Sequence, residues 1–493
     1  MSINKAETTF KHLPGSILIA VFAAILLLRF WHLDADFPNH SFWIADHAKY
    51  SDEGWYLNAA MNSVLLGHWY VPGDFAPYFV VPVWPALVGV VFHITGESVI
   101  AARATEVVFS IISLALGYAL FRRYSGSFSS ACFGLIVAGS ACAYAFSRLA
   151  LLERPLEACM FLCLLLACTL RPTSWLAPAL LGVSIAVLIL IKTTGGFLAP
   201  AILYPIWFRF RQDRQQMYRI CAVICVVAGG LLLAYAVFVV NHHVADIGTY
   251  VSANKPHLNW LGSSRQAVRA LYRGTWADPV LWPLACVAII ASFWIRTLWR
   301  NVLWGVCVLW ILGYLAFIVF RFDGQLHYFT MFVYPISMIS ILFVFELRQI
   351  SGRAAGIVTA LIAASLSWNV WKVSEFAFHP EFSMRDAADQ IRRIIDANPG
   401  SHRLIIGHGA NQATLYNGVP SVDTWLSSAG TTKMLEMYQP GWVLVWGDES
   451  VPDVGPTRRL EPVLNVPAFD DEVRGHLSLF QVKDSAPPNS AVH

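Results

Sequence analysis

The chain has 493 residues, of which 57% are hydrophobic and 13% are charged, and its mean hydropathy is +0.55. A soluble protein of this length cannot bury so much apolar surface, so the composition excludes a soluble globular protein and predicts repeated membrane spans. The net charge of +3 is small and no soluble segment carries a run of basic residues, which excludes nucleic acid as a partner.

Eleven apolar runs are long enough to approach a bilayer span. They lie near residues 14–31, 98–121, 128–147, 156–170, 175–191, 195–208, 218–240, 280–295, 302–320, 328–346 and 354–371. No small-residue cleavage site follows the first run, so it is predicted to be a retained anchor helix rather than a signal peptide. The sequence therefore predicts an all-α polytopic membrane bundle of about eleven transmembrane helices.

A further apolar run, at residues 77–94, contains Pro77, Pro82 and Pro85, which favour a broken or surface-lying helix. If this run does not cross and the N-terminus is cytoplasmic, the basic clusters at the ends of the spans all fall on the cytoplasmic side, as the positive-inside tendency requires. We therefore predict an outward-facing C-terminus and a large first outer loop at residues 32–97. The scarcity of cysteine outside the apolar segments favours a bacterial inner membrane, with the C-terminal part in the periplasm.

The last part of the chain has a different, more polar character. Apolar residues recur at helical spacing between Ser383, a predicted N-cap, and Gly400, a predicted stop. Residues 403–409, 441–448 and 477–483 are predicted to be short strands. The sequence thus predicts a transmembrane domain at 1–372 and a small α/β extracytoplasmic domain at 373–493, whose tail "DSAPPNSAVH" is predicted to be disordered.

Acidic residues are scarce, yet several fall in the predicted outer loops. Asp52 and Glu53 are adjacent in "KYSDEGWYLNAA" at 49–60, and Glu153 lies in "SRLALLERPLEA" at 147–158, which also contains Arg148. Two acidic loops that face each other over a membrane surface suit general-base catalysis or the binding of a divalent metal by Asp52 and Glu153. The alternative is that these charges only mark helix ends and reach into the lipid headgroups.

Cationic and polar residues in other outer turns are candidates for holding an anion. Lys192 lies in "IKTTGG", and Arg321, His327 and Tyr328 lie in "VFRFDGQLHYF". Arginine offers a planar fork that suits phosphate, and lysine offers a point charge. The alternative for each is an ordinary interfacial anchor.

The order of these motifs resembles the polyprenyl-phosphate-sugar-dependent glycosyltransferases of the C superfamily (GT-C), which include protein O-mannosyltransferases and lipid A aminoarabinose transferases. In that family the corresponding loop typically reads Ser-Arg-Leu-Ala-Leu-Leu-Asp-Pro. Here residues 147–152 match, Glu153 takes the place of the aspartate, and Pro155 comes one residue late. The chain departs from many relatives because "DFAPYFVVPVWP" lacks the histidine of their His-x-Pro-Pro-like stretch.

The resemblance implies roles for individual residues. Asp52 matches the first-loop acid that is thought to deprotonate the acceptor, and Glu53 stands beside it as a further candidate catalytic carboxylate. Glu153 matches the second-loop acid that assists substrate or metal binding. Arg148 and Arg103 match family arginines, which we predict to serve substrate or phosphate binding.

Taken together, these features predict an inverting glycosyltransferase that moves a hexose or pentose from a polyprenyl-phosphate carrier to an extracytoplasmic lipid, glycan or protein. Its predicted partners are membrane lipids, the lipid-linked sugar and the acceptor, with a divalent metal ion as a candidate cofactor. One alternative is a lipid-linked saccharide flippase or other secondary transporter, although no inverted repeat is visible. Another is a non-catalytic anchor that presents the C-terminal domain to a partner.

Overall fold

The computed structural model describes residues 22–38, 46, 48–171, 174–253, 259–320, 325–425, 430–447, 449–469 and 475–484. Most of these residues are helical. The α-helices are α1 (Ala48–Leu65), α2 (Val83–Thr95), α3 (Val99–Gly139), α4 (Ala141–Phe146), α5 (Glu153–Thr169), α6 (Leu176–Ile191), α7 (Ala199–Phe210), α8 (Arg214–Phe238), α9 (Val244–Ala253), α10 (Trp260–Gly274), α11 (Leu281–Ala291), α12 (Val302–Phe320), α13 (Val333–Ile350), α14 (Gly352–Phe378), α15 (Ser383–Asp396), α16 (Ala410–Asn417) and α17 (Thr431–Tyr438). Short 3₁₀ helices lie at Leu28–Phe30, Pro77–Phe79, Thr193–Leu198, Val240–His243, Arg296–Arg300 and Leu326–Phe332.

Within the described ranges, five helical stretches are long and apolar enough to cross a membrane. They are Val99–Gly139, Arg214–Gly248, Val302–Phe320, Leu326–Ile350 and Gly352–Asp396, and shorter apolar helices lie at Val83–Thr95, Leu176–Ile191 and Leu281–Ala291. The prediction of a helical membrane bundle is therefore confirmed. The number of eleven spans stays a prediction, and residues 14–21 of the first predicted span lie outside the described residues.

The long helix α3 reverses direction at Gly126, whose φ of 82° and ψ of 172° are not helical. In an uninterrupted helix, Phe121 and Phe133 would be separated by about 18 Å. Instead their ring centroids lie 5.3 Å apart, so the two halves of α3 pack side by side. Glycine is required here because side chains with a Cβ rarely adopt this backbone conformation. This reversal separates the predicted spans at 98–121 and 128–147.

Helix α2 corresponds to the ambiguous run at 77–94, and its 13 residues cover only about 20 Å, less than a bilayer core. Pro82 and Pro85 lie at its N-terminal end, where the missing backbone N–H groups would have no helical partner anyway. Trp84 and Val88 of α2 pack in one hydrophobic cluster with Met61 of α1. That this segment does not cross the membrane stays a prediction.

The C-terminal part contains a five-stranded mixed sheet. Its strands are β1 (Ile405–Gly407), β2 (Ser421–Asp423), β3 (Trp442–Trp446), β4 (Arg458–Pro467) and β5 (His476–Asp484), in the order β2-β1-β3-β5-β4. Strand β1 pairs in parallel with β2 and β3, whereas β5 pairs antiparallel with β3 and β4. The three predicted strands are confirmed as β1, β3 and β5. Asp484, the first residue of the predicted disordered tail, is the last residue of β5, and the rest of that tail lies outside the described residues. The domain boundary at 372 stays a prediction.

The predicted helix after Ser383 is confirmed as α15, but Ser383 is its first residue and not its N-cap. The free N–H groups at this end are instead satisfied by Asp36, from the first loop. The carboxylate of Asp36 accepts hydrogen bonds from the backbone N–H of Ser383 at 2.8 Å and from its Oγ–H at 2.6 Å. The prediction was wrong because the capping residue is about 350 residues away in the chain.

Helix α1 lies between the membrane bundle and the C-terminal domain. Its Tyr50 belongs to the hydrophobic core of that domain, where the Tyr50 ring lies 5.6 Å from Trp446 and 5.4 Å from Phe469. One turn later, the backbone N–H of Gly54 donates to Oε1 of Gln412 on α16 at 2.9 Å. The first loop and the C-terminal domain therefore share a packed interface, and α1 carries both acids of the "SDEG" motif into it.

Candidate active site

Four segments that are distant in the sequence bring charged side chains to one place. Asp46 precedes α1, Glu153 is the first residue of α5, Lys192 directly follows α6, and His327 lies in the 3₁₀ helix Leu326–Phe332. Each of these side chains is at most 5% exposed. Buried charges are stable only when opposite charges and hydrogen bonds compensate them, so the pairing within this cluster decides what it can do.

The cluster alternates in sign. Lys192 Nζ forms an ion pair with Oε1 of Glu153, and His327 Nε2 lies 3.8 Å from the same oxygen. On its other side, His327 Nδ1 lies 3.1 Å from Oδ1 of Asp46, while the backbone N–H of His327 donates to Oδ2 of Asp46 at 2.9 Å. The imidazole of His327 is thus held between two carboxylates. Asp46 also accepts the N–H of Ala48 at 2.8 Å, which ties the cluster to the start of α1.

Asp52 borders this cluster and keeps part of its side chain exposed to solvent. Burial raises the pKa of Asp52 to about 6, and the negative charges of Asp46 and Glu153 add to this effect. The charges of His327 and Lys192 oppose it. Asp52 therefore lies within electrostatic reach of every member of the cluster, and its carboxyl group titrates close to neutral pH, as a general base requires.

Asp46 has the opposite electrostatic character. Burial disfavours its ionised form, but the attraction of His327 and the hydrogen bonds from His327 and Ala48 outweigh burial and lower the pKa of Asp46 below its usual value. Asp46 is thus a permanent anion that orients His327, whereas Asp52 can exchange a proton. Two carboxyl groups with separated pKa values in one site are typical of acid–base catalysis.

Tyr328 follows His327 in the chain, and its ring contacts the side chain of Lys192. Its ring centroid is 4.4 Å from Nζ of Lys192, which is a cation–π contact, and its side chain is 7% exposed. Three residues of the predicted phosphate-binding set (Lys192, His327 and Tyr328) are therefore neighbours. Arg321 lies outside the described residues. The phosphate-binding roles stay predictions.

Glu53 points away from this cluster and is fully engaged in structural contacts. Its carboxylate accepts from Nε of Arg103 at 2.8 Å and from NH2 of Arg103 at 2.6 Å, and Oε1 also accepts the N–H of Ala150 at 2.8 Å. The NH1 group of Arg103 donates to the carbonyl oxygens of Leu33 and Ala35. These contacts give Glu53 and Arg103 a structural role. The predicted catalytic role of Glu53 and the predicted substrate-binding role of Arg103 stay predictions.

Arg148 is likewise occupied by the protein itself. It donates to the backbone carbonyl oxygens of Trp31 and His32 and, at 2.9 Å, to the hydroxyl oxygen of Tyr144. Its guanidinium also packs over the ring of Phe376, at 4.8 Å from the centroid. Arg148 therefore anchors the segment after the 3₁₀ helix Leu28–Phe30 to the bundle, and its predicted contact with substrate stays a prediction.

A divalent metal at Asp52 and Glu153 does not fit the observed contacts. In the part of the chain that the structure describes, no three His, Cys, Asp or Glu side chains are grouped as a metal site would require. The ammonium group of Lys192 already pairs with Glu153 at the position where a cation would bind.

Sequence reasoning did not single out Asp46, although it lies in the same predicted outer loop as Asp52. Its partner His327 is 281 residues away in the chain, so no spacing pattern could reveal the pair. The only available signal was compositional. Asp46 is a third acid within a short aromatic stretch, "FWIADHAKYSDEGW", in a chain where acids are scarce.

The fold and part of the sequence match known proteins. Residues 77–242 match the profile of the dolichyl-phosphate-mannose-protein mannosyltransferase family, PMT_2. No curated protein sequence matches the chain significantly. Among solved structures, ArnT from Cupriavidus metallidurans bound to undecaprenyl phosphate has a TM-score of 0.61 at 11% identity, covering 95% of this chain and 98% of that one. An oligosaccharyltransferase from Archaeoglobus fulgidus in complex with Zn and sulfate has a TM-score of 0.56 at 12% identity, covering 87% of this chain and 67% of that one.

Identities this low establish a shared fold and not a shared substrate. The same fold in the apo state of ArnT gives a TM-score of 0.60 at 14% identity. The apolar helices and this fold together identify a membrane protein. The predicted resemblance is thereby confirmed: the chain has the fold of the C-superfamily glycosyltransferases, and its residues 77–242 match the dolichyl-phosphate-mannose-protein mannosyltransferase family.

Proposed function

We propose that this protein transfers one sugar from a polyprenyl-phosphate carrier to an acceptor on the outer face of the membrane, with inversion at the anomeric carbon. The observation that carries the proposal is Asp52, a partly exposed carboxyl with a pKa raised to about 6, beside the buried cluster of Asp46, Glu153, Lys192 and His327. The fold shared with ArnT, which was solved with undecaprenyl phosphate, supports this choice of donor.

Asp52 acts as the general base in this mechanism. With a pKa of about 6 its carboxyl is largely ionised at neutral pH, yet it is basic enough to accept a proton from a hydroxyl group in the transition state. The acceptor oxygen then attacks the anomeric carbon from the side opposite the phosphate. The new C–O bond forms as the bond to the phosphate oxygen breaks, and that oxygen leaves with the electron pair. A single displacement of this kind inverts the configuration.

The cations of the cluster stabilise the leaving phosphate. Lys192 has three N–H donors, and its pairing with Glu153 leaves donors for an anion that enters beside Tyr328. In its protonated form, His327 adds a second positive charge, held in place by Asp46. Cations fixed in a dry site stabilise a developing negative charge far better than they do in water. In this scheme Glu153 and Asp46 position the cations and do not touch the sugar.

The acceptor, the sugar and the location belong to the same proposal. We assign the transferred unit to the hexoses or pentoses and place the reaction at the periplasmic face of a bacterial inner membrane, with the N-terminus cytoplasmic. A lipid-linked saccharide flippase is the competing function. It would move the donor across the bilayer without breaking the bond between sugar and phosphate.

The test uses the full-length protein in proteoliposomes with undecaprenyl-phosphate sugars labelled in the sugar. We expect release of undecaprenyl phosphate together with labelled product, and loss of both in Asp52→Asn with a melting temperature no lower than that of the wild type. Asp34→Asn is the matched control, because Asp34 lies in the same predicted loop and pairs with Arg385 outside the cluster. Translocation of intact donor without cleavage would assign the protein to the flippases. Normal transfer by Asp52→Asn would remove Asp52 as the base.

A further inference from the structure

Three aromatic rings lie with their planes parallel where α1 meets the C-terminal domain. Trp55 lies on α1, His408 follows β1, and Trp425 follows β2. The ring centroids of Trp55 and Trp425 are 4.2 Å apart with planes 5° from parallel, and those of His408 and Trp425 are 5.3 Å apart at 4°. Trp55 and His408 are also parallel, at 5°, with centroids 6.2 Å apart. We call these three residues the aromatic platform.

The three distances fix how the rings are arranged. Parallel rings in contact are separated by about 3.5 Å, so rings on opposite faces of Trp425 would lie in planes about 7 Å apart. The observed 6.2 Å between Trp55 and His408 is too short for that arrangement. Both rings therefore lie against the same face of Trp425, next to each other, and the opposite face of Trp425 is directed away from them. Trp425 is 36% exposed, so part of its ring is accessible to a ligand.

Hydrogen bonds hold the platform in place from its buried side. The carboxylate of Asp423, which is 0% exposed, accepts from Nε1–H of Trp55 at 2.9 Å and from the backbone N–H of Trp425 at 2.7 Å. It also accepts the N–H of Gly409, next to His408, at 2.8 Å. One buried carboxyl group thus fixes all three segments that carry the rings. A ring arrangement preorganised in this way costs little conformational entropy when a ligand binds.

Polar groups border the platform. Nδ1 of His408 lies 2.7 Å from Oε1 of Glu449, and both side chains are about one-fifth exposed. Because His408 lies on the Trp55 side of Trp425, this pair can reach the hydroxyl groups of a sugar on the outward face only around the edge of the indole. A sugar ring needs both features, because one of its faces carries only C–H groups and its edge carries hydroxyls. The electron-rich face of an indole attracts the slightly positive C–H face.

The platform stands beside the proposed base. Trp55 follows Asp52 by three residues on α1, so their Cβ atoms lie on one side of the helix, about 5–6 Å apart. A sugar on the outward face of Trp425 is further away by two ring spacings of about 3.5 Å each. A reacting hydroxyl must come within about 3 Å of the base. A sugar on the platform is therefore too far from Asp52 to be the reacting unit.

We propose that the outward face of Trp425, supported by Trp55 and His408, is a subsite for one sugar ring of a glycan acceptor, next to the unit that receives the transferred sugar. This inference rests on the proposed transferase function and narrows its acceptor to a saccharide of at least two units. Neither a protein nor a lipid acceptor without such a unit would use the platform.

The test measures sugar binding in the absence of donor, by saturation-transfer-difference NMR on the full-length protein. The protein is kept in an amine-oxide detergent, since maltoside detergents would themselves supply a sugar. The probes are methyl glycosides of glucose, galactose, mannose and N-acetylglucosamine, together with maltose and cellobiose. We expect saturation of the ring C–H protons of at least one probe, reduced at least fivefold in Trp425→Ala and partly retained in Trp425→Phe.

Trp260→Ala is the matched control, because Trp260 is 80% exposed at the start of α10 and has no contact with the platform. It should leave the saturation unchanged, and the melting temperature of each variant establishes that it is folded. Equal saturation in Trp425→Ala and the wild type, or no saturation by any probe, overturns the proposal. Displacement of the sugars by a proline-rich peptide in a Trp425-dependent manner would also overturn it, in favour of a peptide acceptor.

Transfer assays separate this subsite from the proposed function. With an active donor–acceptor pair, Trp425→Ala should raise the KM for the acceptor at least tenfold while kcat and the KM for the donor stay within twofold. If the protein binds sugar in a Trp425-dependent manner but transfers none, the proposed subsite is supported and the proposed transferase function is refuted. If transfer requires Asp52 but does not change in Trp425→Ala, the transferase function is supported and the subsite is refuted.

Discussion

Glu53 and Arg103 form a buried two-point ion pair, with Nε to Oε1 at 2.8 Å and NH2 to Oε2 at 2.6 Å. The same NH2 group donates to the hydroxyl oxygen of Tyr416 on α16 at 2.7 Å. One guanidinium thus connects the first loop, the start of α3 and the C-terminal domain. Adjacent acids in the sequence have separate tasks, since Glu53 holds the parts together while Asp52 faces the charged cluster.

Glu53→Gln should therefore cost stability. Removing one partner of a buried ion pair leaves the other charge uncompensated, which lowers the free energy of unfolding by about 3–5 kcal/mol. A thermal melt of the purified protein measures this loss, and Asp52→Asn should show none. Glu461→Gln serves as the control, because it breaks an exposed pair with Lys483 and should leave the melting temperature unchanged. A Glu53→Gln protein of normal stability that transfers no sugar would instead support the predicted catalytic role of Glu53.

The pH dependence of transfer should report on Asp52. Its pKa is raised from 3.8 to about 6, so Asp52 holds a proton below about pH 6 and cannot accept another from the acceptor. We expect kcat/KM to rise with pH through about 6 and to level off above it. Because the ionised carboxyl of Asp52 is disfavoured in the folded state, the wild type should lose stability as pH rises from about 4 to 7. Asp52→Asn has no such carboxyl, so its stability relative to the wild type should increase over the same range. A rate profile that is flat between pH 5 and 8 would contradict the assignment.

Lys192→Met should weaken use of the donor. A hydrogen bond to a charged group contributes about 1.5–3 kcal/mol, which corresponds to an increase of about ten- to a hundredfold in the KM for the polyprenyl-phosphate sugar. The variant also leaves Glu153 without its partner, so it should be less stable. The double variant Lys192→Met/Glu153→Gln removes both charges and should recover the melting temperature but not the KM for the donor. Recovery of both the melting temperature and the KM for the donor would show that Lys192 has only a structural role.

Gly54→Ala should separate α1 from the C-terminal domain. A Cβ at Gly54 would lie 2.6 Å from the backbone nitrogen of Gln412, which is too close for any contact. We expect a loss of about 1–3 kcal/mol in stability, as in other overpacked sites, and faster proteolysis of the C-terminal domain. Gly229→Ala in α8 is the control, because no atom lies within 4 Å of its Cβ. Unchanged proteolysis of Gly54→Ala would refute the tight docking.

Much of the fold could be predicted from the sequence because apolar runs record membrane helices and buried strands directly. The three strands with buried, apolar residues were found, whereas β2 and β4 were not. Strand β2 has only three residues, and β4 carries Pro462 and is largely exposed, so neither has a clear pattern. The direction change at Gly126 is also invisible locally, because a glycine within an apolar region does not reveal its backbone angles.

The candidate site was predictable only in part. Residue type and predicted side of the membrane singled out Asp52, Glu153 and Lys192 as candidates, while their roles stay predictions. The sequence could not distinguish Asp52 from Glu53, since their opposite orientations depend on partners such as Arg103. Asp46 was not predicted because its place in the site depends on contact with His327. Contacts between segments that are distant in the chain produce no recognisable spacing of residues in the sequence.

The docking of α16 on α1 also limits how such a protein can be re-engineered. The rings of the aromatic platform come from both sides of this junction, and so do the groups around Glu53. Under the proposed acceptor subsite, a chimera that receives only a foreign C-terminal domain would place new acceptor contacts beside an α1 helix that does not fit them. Residues 48–65 and the C-terminal domain would have to be exchanged as one cassette for specificity to move between proteins of this fold.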